Sequence, residues 1–265
     1  ISGAKNSIAE ALTNIIWAPL QDDLASVSLS ANWMWPCNNE GEDARLYEAV
    51  KAVSEFAINL GINIPTGKDS LSMKQRYKDQ EVLSPGTVII SAAGHCNDIT
   101  NVIEPMFQKD AGSVYYLDFS QHDLELGGSA FYQLLNKVGS QAPSVIDDAE
   151  FKKKFNAIQN LIKQDKIASG HDISSGGLIT TLLELCFADN DLGAELNFDT
   201  FKEQDLIKLL FAENTGIVFQ VNTDINSDFE ELDIEPIYLG EVNSTGQLTI
   251  NKEEKSLSFD INTYR

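Results

Sequence analysis

Apolar residues change their spacing along the chain, and each spacing predicts an element. Ile8, Ala11, Leu12, Ile15 and Ile16 recur at helical intervals, predicting a short amphipathic helix over 7–17. Val27, Leu29 and Ala31 alternate with polar residues, predicting a strand that ends in the loop Asn32-Trp33-Met34-Trp35-Pro36. Leu46, Val50, Val53, Ala57 and Leu60 define a longer helix. Glu42 and Asp43 suit its positive N-terminal end, and Gly61 is its natural stop. A short strand over 62–65 leads into Gly67-Lys68-Asp69-Ser70. Residues 70–76 and 86–95 are predicted to pair across the polar turn at Lys78 and Asp79.

Pro105 and Gly112 punctuate a connector over 101–112, where a domain boundary is placed. Beyond it the pattern predicts a strand over 113–119, a helix from Leu126-Gly127-Gly128 through Leu135, and a loop over 143–148. Phe151, Phe155, Ile158 and Ile162 mark another helix. A strand near Ile167 runs into His171-Asp172-Ile173-Ser174-Ser175-Gly176-Gly177, followed by a helix carrying Leu178, Leu182, Leu185 and Cys186. A helix over 206–211 and strands over 216–221 and 237–242 complete the series. Such alternation indicates an α/β (α+β) architecture.

The chain's 265 residues are 43% hydrophobic and 9% aromatic, enough for one large or two smaller ordered domains. Forty acidic against nineteen basic residues give a net charge of −21, which repels phosphate backbones and argues against nucleic-acid binding. The longest apolar runs, such as 87–93, are too short to cross a bilayer, so no membrane partner is expected. Cys37, Cys96 and Cys186 form no CxxC pair, which fits inert thiols in a reducing cytoplasm. No charged stretch followed by an apolar block opens the chain, so no secretory leader is expected. It begins at Ile1 without an initiator Met, and a fragment of a longer protein is expected.

Three stretches carry candidate chemistry. Glu10 and Asn14 lie one helical turn apart, and a carboxylate with an amide oxygen supplies two ligands for a hard cation such as Mg²⁺. From these residues alone the better reading is a capping box at Ser7-Ile8-Ala9-Glu10, with Asn14 merely solvated. In 171–177, Asp172 stands at the carboxyl end of a strand, where α/β sheets place ligands. Ser174 offers a hydroxyl, and the glycines let amides at the helix start approach a phosphate. An ordinary N-cap at Asp172 or Ser174 explains the same residues equally well. Gly67-Lys68-Asp69-Ser70 is not a phosphate loop, because position 62 is Ile and Asp69 follows the Lys. A Lys, a carboxylate and a hydroxyl in succession still suit phosphate and metal, or a plain polar strand entry. Trp33 and Trp35 fit a hydrophobic plug better than a stacking platform.

Six strings in order resemble the phosphoribosylformylglycinamidine synthase family in its large single-chain form. They are Glu10-Ala11-Leu12-Thr13-Asn14, Leu29 through Met34, Gly41 through Val50, Gly67 through Met73, His171 through Gly177, and Leu257 through Asn262. That family belongs to the superfamily of aminoimidazole ribonucleotide synthetase, and its own core pairs two pseudo-equivalent halves. The resemblance implies the second half: a 1–108 α/β domain contributing a half-barrel sheet, a 109–256 α/β sandwich domain, and from 257 to 265 the start of a linker to a glutaminase domain. It implies an ATP-dependent ligase of purine biosynthesis acting on formylglycinamide ribonucleotide and glutamine. Residue by residue it implies that Glu10, Asn14 and Asp172 hold Mg²⁺, and that Ser174 contacts ATP or ADP at an auxiliary site. Asn32 with Gly67, Lys68, Asp69 and Ser70 is implied as this half's share of a composite catalytic site. The family's upstream Gly-Asp-Arg-Thr segment, first synthetase half and glutaminase are missing here, so the chain alone is expected to be inactive and to self-associate as a homodimer. Two alternatives stand beside it: a small ATP-using enzyme such as a selenophosphate synthetase or thiamine-phosphate kinase, and a non-catalytic nucleotide-binding or assembly module.

Overall fold

The computed structural model describes all 265 residues. Helix α1, Ser2–Ile15, starts upstream of the predicted 7–17 and buries Ala4, Ile8, Ala9, Leu12 and Thr13 along one face. Ser7 therefore lies inside the helix, donating to the Gly3 carbonyl at 2.9 Å, and the capping box does not form. Strand β1, Val27–Met34, continues through the expected loop to Met34. Helix α2, Glu42–Leu60, runs between left-handed Gly41 and Gly61, with Glu42 and Asp43 in its first turn and Gly61 as its stop, as the sequence announced. Strands β2 (Asn63–Ser70), β3 (Lys74–Arg76), β4 (Glu81–Leu83) and β5 (Thr87–Gly94) follow.

The predicted pairing of 70–76 with 86–95 is corrected. β3 pairs only with β4 as a small hairpin, while β5 pairs antiparallel with β1. β2 pairs parallel with the other edge of β1, giving a three-stranded sheet in the order β2-β1-β5. The cause is the apolar alternation of β1. Val27, Leu29, Ala31 and Trp33 are buried against the helices, and Val88, Ile90 and Ala92 of β5 pack on that same core. Pairing β5 with β1 puts both apolar rows on one face.

The remaining elements are β6 (Val114–Asp118), α3 (Ala130–Leu134), α4 (Asp148–Lys163), β7 (Ile167–Asp172), α5 (Gly177–Cys186), β8 (Gly193–Asn197), α6 (Leu206–Phe211), β9 (Gly216–Val221), α7 (Asn226–Glu230), β10 (Ile237–Asn243), β11 (Gln247–Lys252), β12 (Lys255–Asp260) and α8 (Ile261–Tyr264). Seven strands form one sheet in the order β12-β11-β8-β10-β6-β9-β7. The expected linker over 257–265 begins instead as the edge strand of this sheet. Leu257 pairs opposite Ile250, Leu257 and Phe259 pack on the core, and Ile261 is fully buried.

Two apolar cores flank the large sheet. One takes α5, α6 and one face of the strands; the other takes α1, α2, α4 and the opposite face. This second core continues onto the three-stranded sheet, so it crosses the connector at 101–112. At its centre Phe151 packs edge-to-face on Phe56 of α2 and Phe119 after β6, with ring centroids 5.5 and 5.1 Å away. Fully buried Gln159 of α4 stitches the same junction. It donates to the Ile16 and Ala18 carbonyls and accepts from the Leu20 amide at 2.9 Å.

Candidate functional site

Between α1 and the open edge of β5 lies a groove of about 710 Å³. Glu10 and Asn14 project into it from α1, Asp172 from the end of β7, and Ser174 from the loop that follows. Glu10 and Ser174, 164 positions apart in sequence, thus share one site. Ser174 Oγ donates to Glu10 Oε1 at 2.7 Å. Asp172 is 4% exposed, and its backbone oxygen accepts from Thr181 Oγ1 at 2.9 Å, which ties it to α5.

The donors facing this groove are oxygens. Nowhere in the chain do three His, Cys, Asp or Glu side chains gather closely enough to hold a metal by themselves. Glu10, Asn14 and Asp172 offer two carboxylates and one amide oxygen, a hard-donor set that suits Mg²⁺ with its remaining positions filled by water or phosphate oxygens. His171, beside Asp172, lies 3.2 Å through Nε2 from Glu184 Oε2. Burial opposes its charge, but the hydrogen bonds and negative charge of Asp172, together with Glu184, outweigh it and raise its pKa.

The loop after Asp172 is built for one conformation. Gly176 and Gly177 have φ of +97° and +73°. A Cβ at Gly177 would lie 2.7 Å from the Leu210 carbonyl oxygen, so glycine is required there. The expected use of these amides for a phosphate is corrected. Gly176 N–H donates to Glu213 Oε1 at 2.8 Å, and Gly177 N–H donates to the Ser174 carbonyl at 3.1 Å. Glu213 also accepts from Ala130 N–H at 2.8 Å. It escaped the sequence reading because an acid in a turn before a strand carries no local signature. A smaller cavity of about 270 Å³ lies beyond the Ser174–Glu10 pair, walled by Gly127, Gly128, Ser175 and Glu213.

Asn32 and Gly67–Ser70 come together elsewhere. The parallel register sets Ala31 beside Gly67, Asn32 beside Lys68, Trp33 beside Asp69 and Met34 beside Ser70. Gly67 is needed because a Cβ there would lie 2.3 Å from the Ala31 carbonyl oxygen. Lys68 Nζ is hydrogen-bonded to Ser70 Oγ, and both share the outward face of the sheet with Asn32. Asp69 alternates onto the face of Trp33. Asn32 Oδ1 is buried without a hydrogen-bond partner, an acceptor held in reserve. None of these five residues lines the groove of Glu10 and Asp172.

A helix-backed small sheet joined through one core to a seven-stranded sheet, with an oxygen-lined groove at the seam, defines a class. Residues 114–251 match the C-terminal domain of AIR synthase related proteins, and the chain belongs to that family. Residues 1–95 match the FGAR-AT PurM_N-like domain. Among its curated relatives, the chain is 37% identical over 239 residues to a probable phosphoribosylformylglycinamidine synthase of Caenorhabditis elegans, covering 84% of this chain and 18% of the relative. It is 39% identical over 228 residues to the phosphoribosylformylglycinamidine synthase of Dictyostelium discoideum, covering 81% and 17%. These matches bear out the family read from the six strings, and the chain spans less than a fifth of those relatives' length. In fold it is similar to Thermotoga maritima PurL complexed with FGAR (TM-score 0.72, 12% identity, covering 99% of this chain and 43% of that one). It is also similar to the hydrogenase maturation protein HypE in complex with ATP (TM-score 0.62, 11% identity, covering 94% and 78%). The mixed α/β class expected from the alternation of elements is the one observed. No helix is long and apolar enough to cross a membrane.

Proposed function

We propose that this chain is half of the synthetase core of a phosphoribosylformylglycinamidine synthase, the ligase that converts formylglycinamide ribonucleotide, glutamine and ATP to formylglycinamidine ribonucleotide, ADP, phosphate and glutamate. The observation that carries the reading is the convergence of Glu10, Asn14, Asp172 and Ser174, from three separate elements, on one groove. Glu10, Asn14 and Asp172 hold Mg²⁺ there, and Ser174 contacts ADP or ATP. Bound Mg²⁺ neutralises the charge of the phosphates, which a chain of net charge −21 otherwise repels. Asp172 is placed by β7 and Glu10 by α1, so the core shared by the two sheets sets the gap between them.

The outward row of Asn32, Lys68 and Ser70, with Gly67 letting the strands close and Asp69 at the adjacent register position, supplies this half's share of the composite catalytic site. The other synthetase half completes that site, and a glutaminase domain of the same protein delivers ammonia from glutamine. The formamide oxygen takes the γ-phosphoryl group of ATP, and ammonia then displaces phosphate. Residues 1–108 and 109–256 act as the two units of this half. Three unpaired cysteines favour the cytoplasm or a comparably reducing compartment. Alone, the chain forms a homodimer through its small sheet. The row Val88, Ile90 and Ala92, expected to be the exposed one, packs on the core, and the face left uncovered carries Ile89, 50% exposed. A strictly monomeric mass in light scattering refutes that dimer.

The reading of the groove is tested by calorimetry with ADP and Mg²⁺ on the purified chain. Weak binding that depends on Mg²⁺ and disappears in Asp172→Asn is expected. Tight metal-independent binding, or binding indifferent to that substitution, places the nucleotide elsewhere. No formylglycinamidine ribonucleotide is expected from the chain alone with ATP, Mg²⁺ and ammonia, because both halves of the composite site are needed to position both substrates.

A further inference from the structure

We propose that Glu213 is the positioning residue of the groove, holding the Ser174 loop where its hydroxyl meets Glu10 and the bound nucleotide. The inference rests on the nucleotide reading above and goes beyond it, since it concerns a side chain outside the groove itself.

Glu213 sits in the short turn between α6 and β9. One of its oxygens, Oε1, accepts two backbone hydrogen bonds at 2.8 Å, from Gly176 and from Ala130. The donors belong to different loops. Gly176 immediately precedes α5, and Ala130 opens α3 just after Gly127-Gly128. A single carboxylate therefore ties together the two glycine-bearing loops that wall the smaller cavity.

The next residues fasten the rest of the surroundings. Gly216 carbonyl accepts from Ile173 N–H at 2.8 Å, and Thr215 carbonyl accepts from Phe119 N–H at 2.9 Å. Asn214, 1% exposed, donates through Nδ2 to Ser120 Oγ and to the His122 and Asp123 carbonyls. Ser174 is thus held on both sides by the same four-residue stretch, through Ile173 before it and Gly176 after it. Its own hydroxyl is left to reach Glu10.

Within this loop the Gly176 amide depends on Glu213. Gly176 lies in the left-handed region, and its N–H needs an acceptor at the positive end of α5. Glu213 supplies that acceptor from within the chain, with a charge that suits the helix end. The same contact keeps a ligand's phosphate off these amides and leaves its placement to the metal ligands across the Ser174–Glu10 pair.

Nuclear magnetic resonance on the isotopically labelled chain tests this, with Mg²⁺–ADP as the probe. Glu213→Gln retains a carbonyl oxygen at the accepting position, so slow hydrogen exchange at Gly176 and Ala130 and near-normal affinity are expected. In Glu213→Ala both amides should exchange faster and affinity should fall about tenfold, the equivalent of roughly 1.4 kcal/mol. Ile250→Val, a core change in β11, serves as control: it should lower the melting temperature and leave ADP affinity alone. If Glu213→Ala does not fold, Glu213→Asp carries the same expectation at smaller size, since its shorter arm withdraws the oxygen from its donors. Wild-type affinity in a folded Glu213→Ala, or equal damage from Gln and Ala, overturns the assignment. Failure of the unmodified chain to bind ADP overturns the nucleotide reading. Unchanged exchange at Gly176 and Ala130 in Glu213→Ala sinks the Glu213 assignment separately.

Discussion

The two sheets solve the same packing problem differently. In the seven-stranded sheet, consecutive residues of a strand enter opposite cores. Val114 and Tyr116 of β6 face one core and Leu117 the other, and Ile217 and Phe219 of β9 divide from Val218 in the same way. All six residues of β9 are buried. In the three-stranded sheet only one row enters a core. Its alternates in β1, namely Ser28, Ser30, Asn32 and Met34, face outward, and β2 has no buried residue at all. A face relieved of packing is free to carry polar residues, and there Asn32, Lys68 and Ser70 line up. The lesson is that candidate chemistry sits where burial ends, on the bare face of the small sheet and in the groove at the seam between the two.

That contrast can be broken by experiment. The largest effect is expected at the junction: Phe151→Ala should remove about 3–5 kcal/mol of stability, as deletion of a buried aromatic does. Since Phe151 touches both α2 and the end of β6, a single denaturant transition should remain. Two separated transitions would show that the sheets do not share a core. Gln159→Leu should follow at about 2–3 kcal/mol, because it strands buried backbone groups at residues 16, 18 and 20. Urea unfolding measures it, and a loss below about 0.5 kcal/mol would mean that these groups find other partners.

Smaller effects come from titration. His171 is raised above its ordinary pKa in the folded chain, so it binds its proton more tightly folded than unfolded. Its stabilisation is complete below the unfolded value of about 6.5 and is lost as pH rises through the folded value. His171→Gln should flatten stability against pH in that window, and an unchanged slope would assign it to another group. Burial pushes the Cys186 thiol up to about 12, so it should resist thiol reagents in the native chain while exposed Cys96 reacts. Modification of Cys186 without unfolding would contradict its burial. Smallest of all, Ile89→Thr on the bare face should change monomer stability by less than about 0.5 kcal/mol, as measured by urea unfolding at high dilution.

Much of the fold was legible because local and tertiary demands agree. Helix α2 announces itself by its apolar period, its first-turn acids and Gly61, and each belongs to the helix itself. The segment from β7 to α5 was legible for the same reason. The paths of β2 and β5 were misread, since strand partners are chosen by faces brought together from afar, and β5 prefers the apolar face of β1 to its neighbour in sequence. β8, β11 and β12 were missed. β11 and β12 alternate over six positions each, no weaker a pattern than the one that predicts β1, so there the signal was present in the sequence. Of the candidate residues, Glu10 and Asn14 announce each other by helical spacing, whereas Asp172 joins them only through the fold. Glu213 could not be found at all, because its partners are backbone amides 37 and 83 residues away.

By itself the sequence determined the longer helices, the glycines that end or bend them, the oxygen-rich donor types and the order of motifs that marks the family. These depend on residues within a few positions of one another, where covalent geometry and side-chain period already decide the outcome. The short α7 and α8 were not announced, and the helix expected from Leu126 through Leu135 shrinks to Ala130–Leu134. The tertiary structure decided which strands pair, that one core serves both sheets, and that the Lys68 row and the Asp172 groove are separate places. It also decided that the amides before α5 are taken by Glu213. Such contacts join residues far apart in the chain, and only burial of the shared apolar faces brings them within hydrogen-bonding reach.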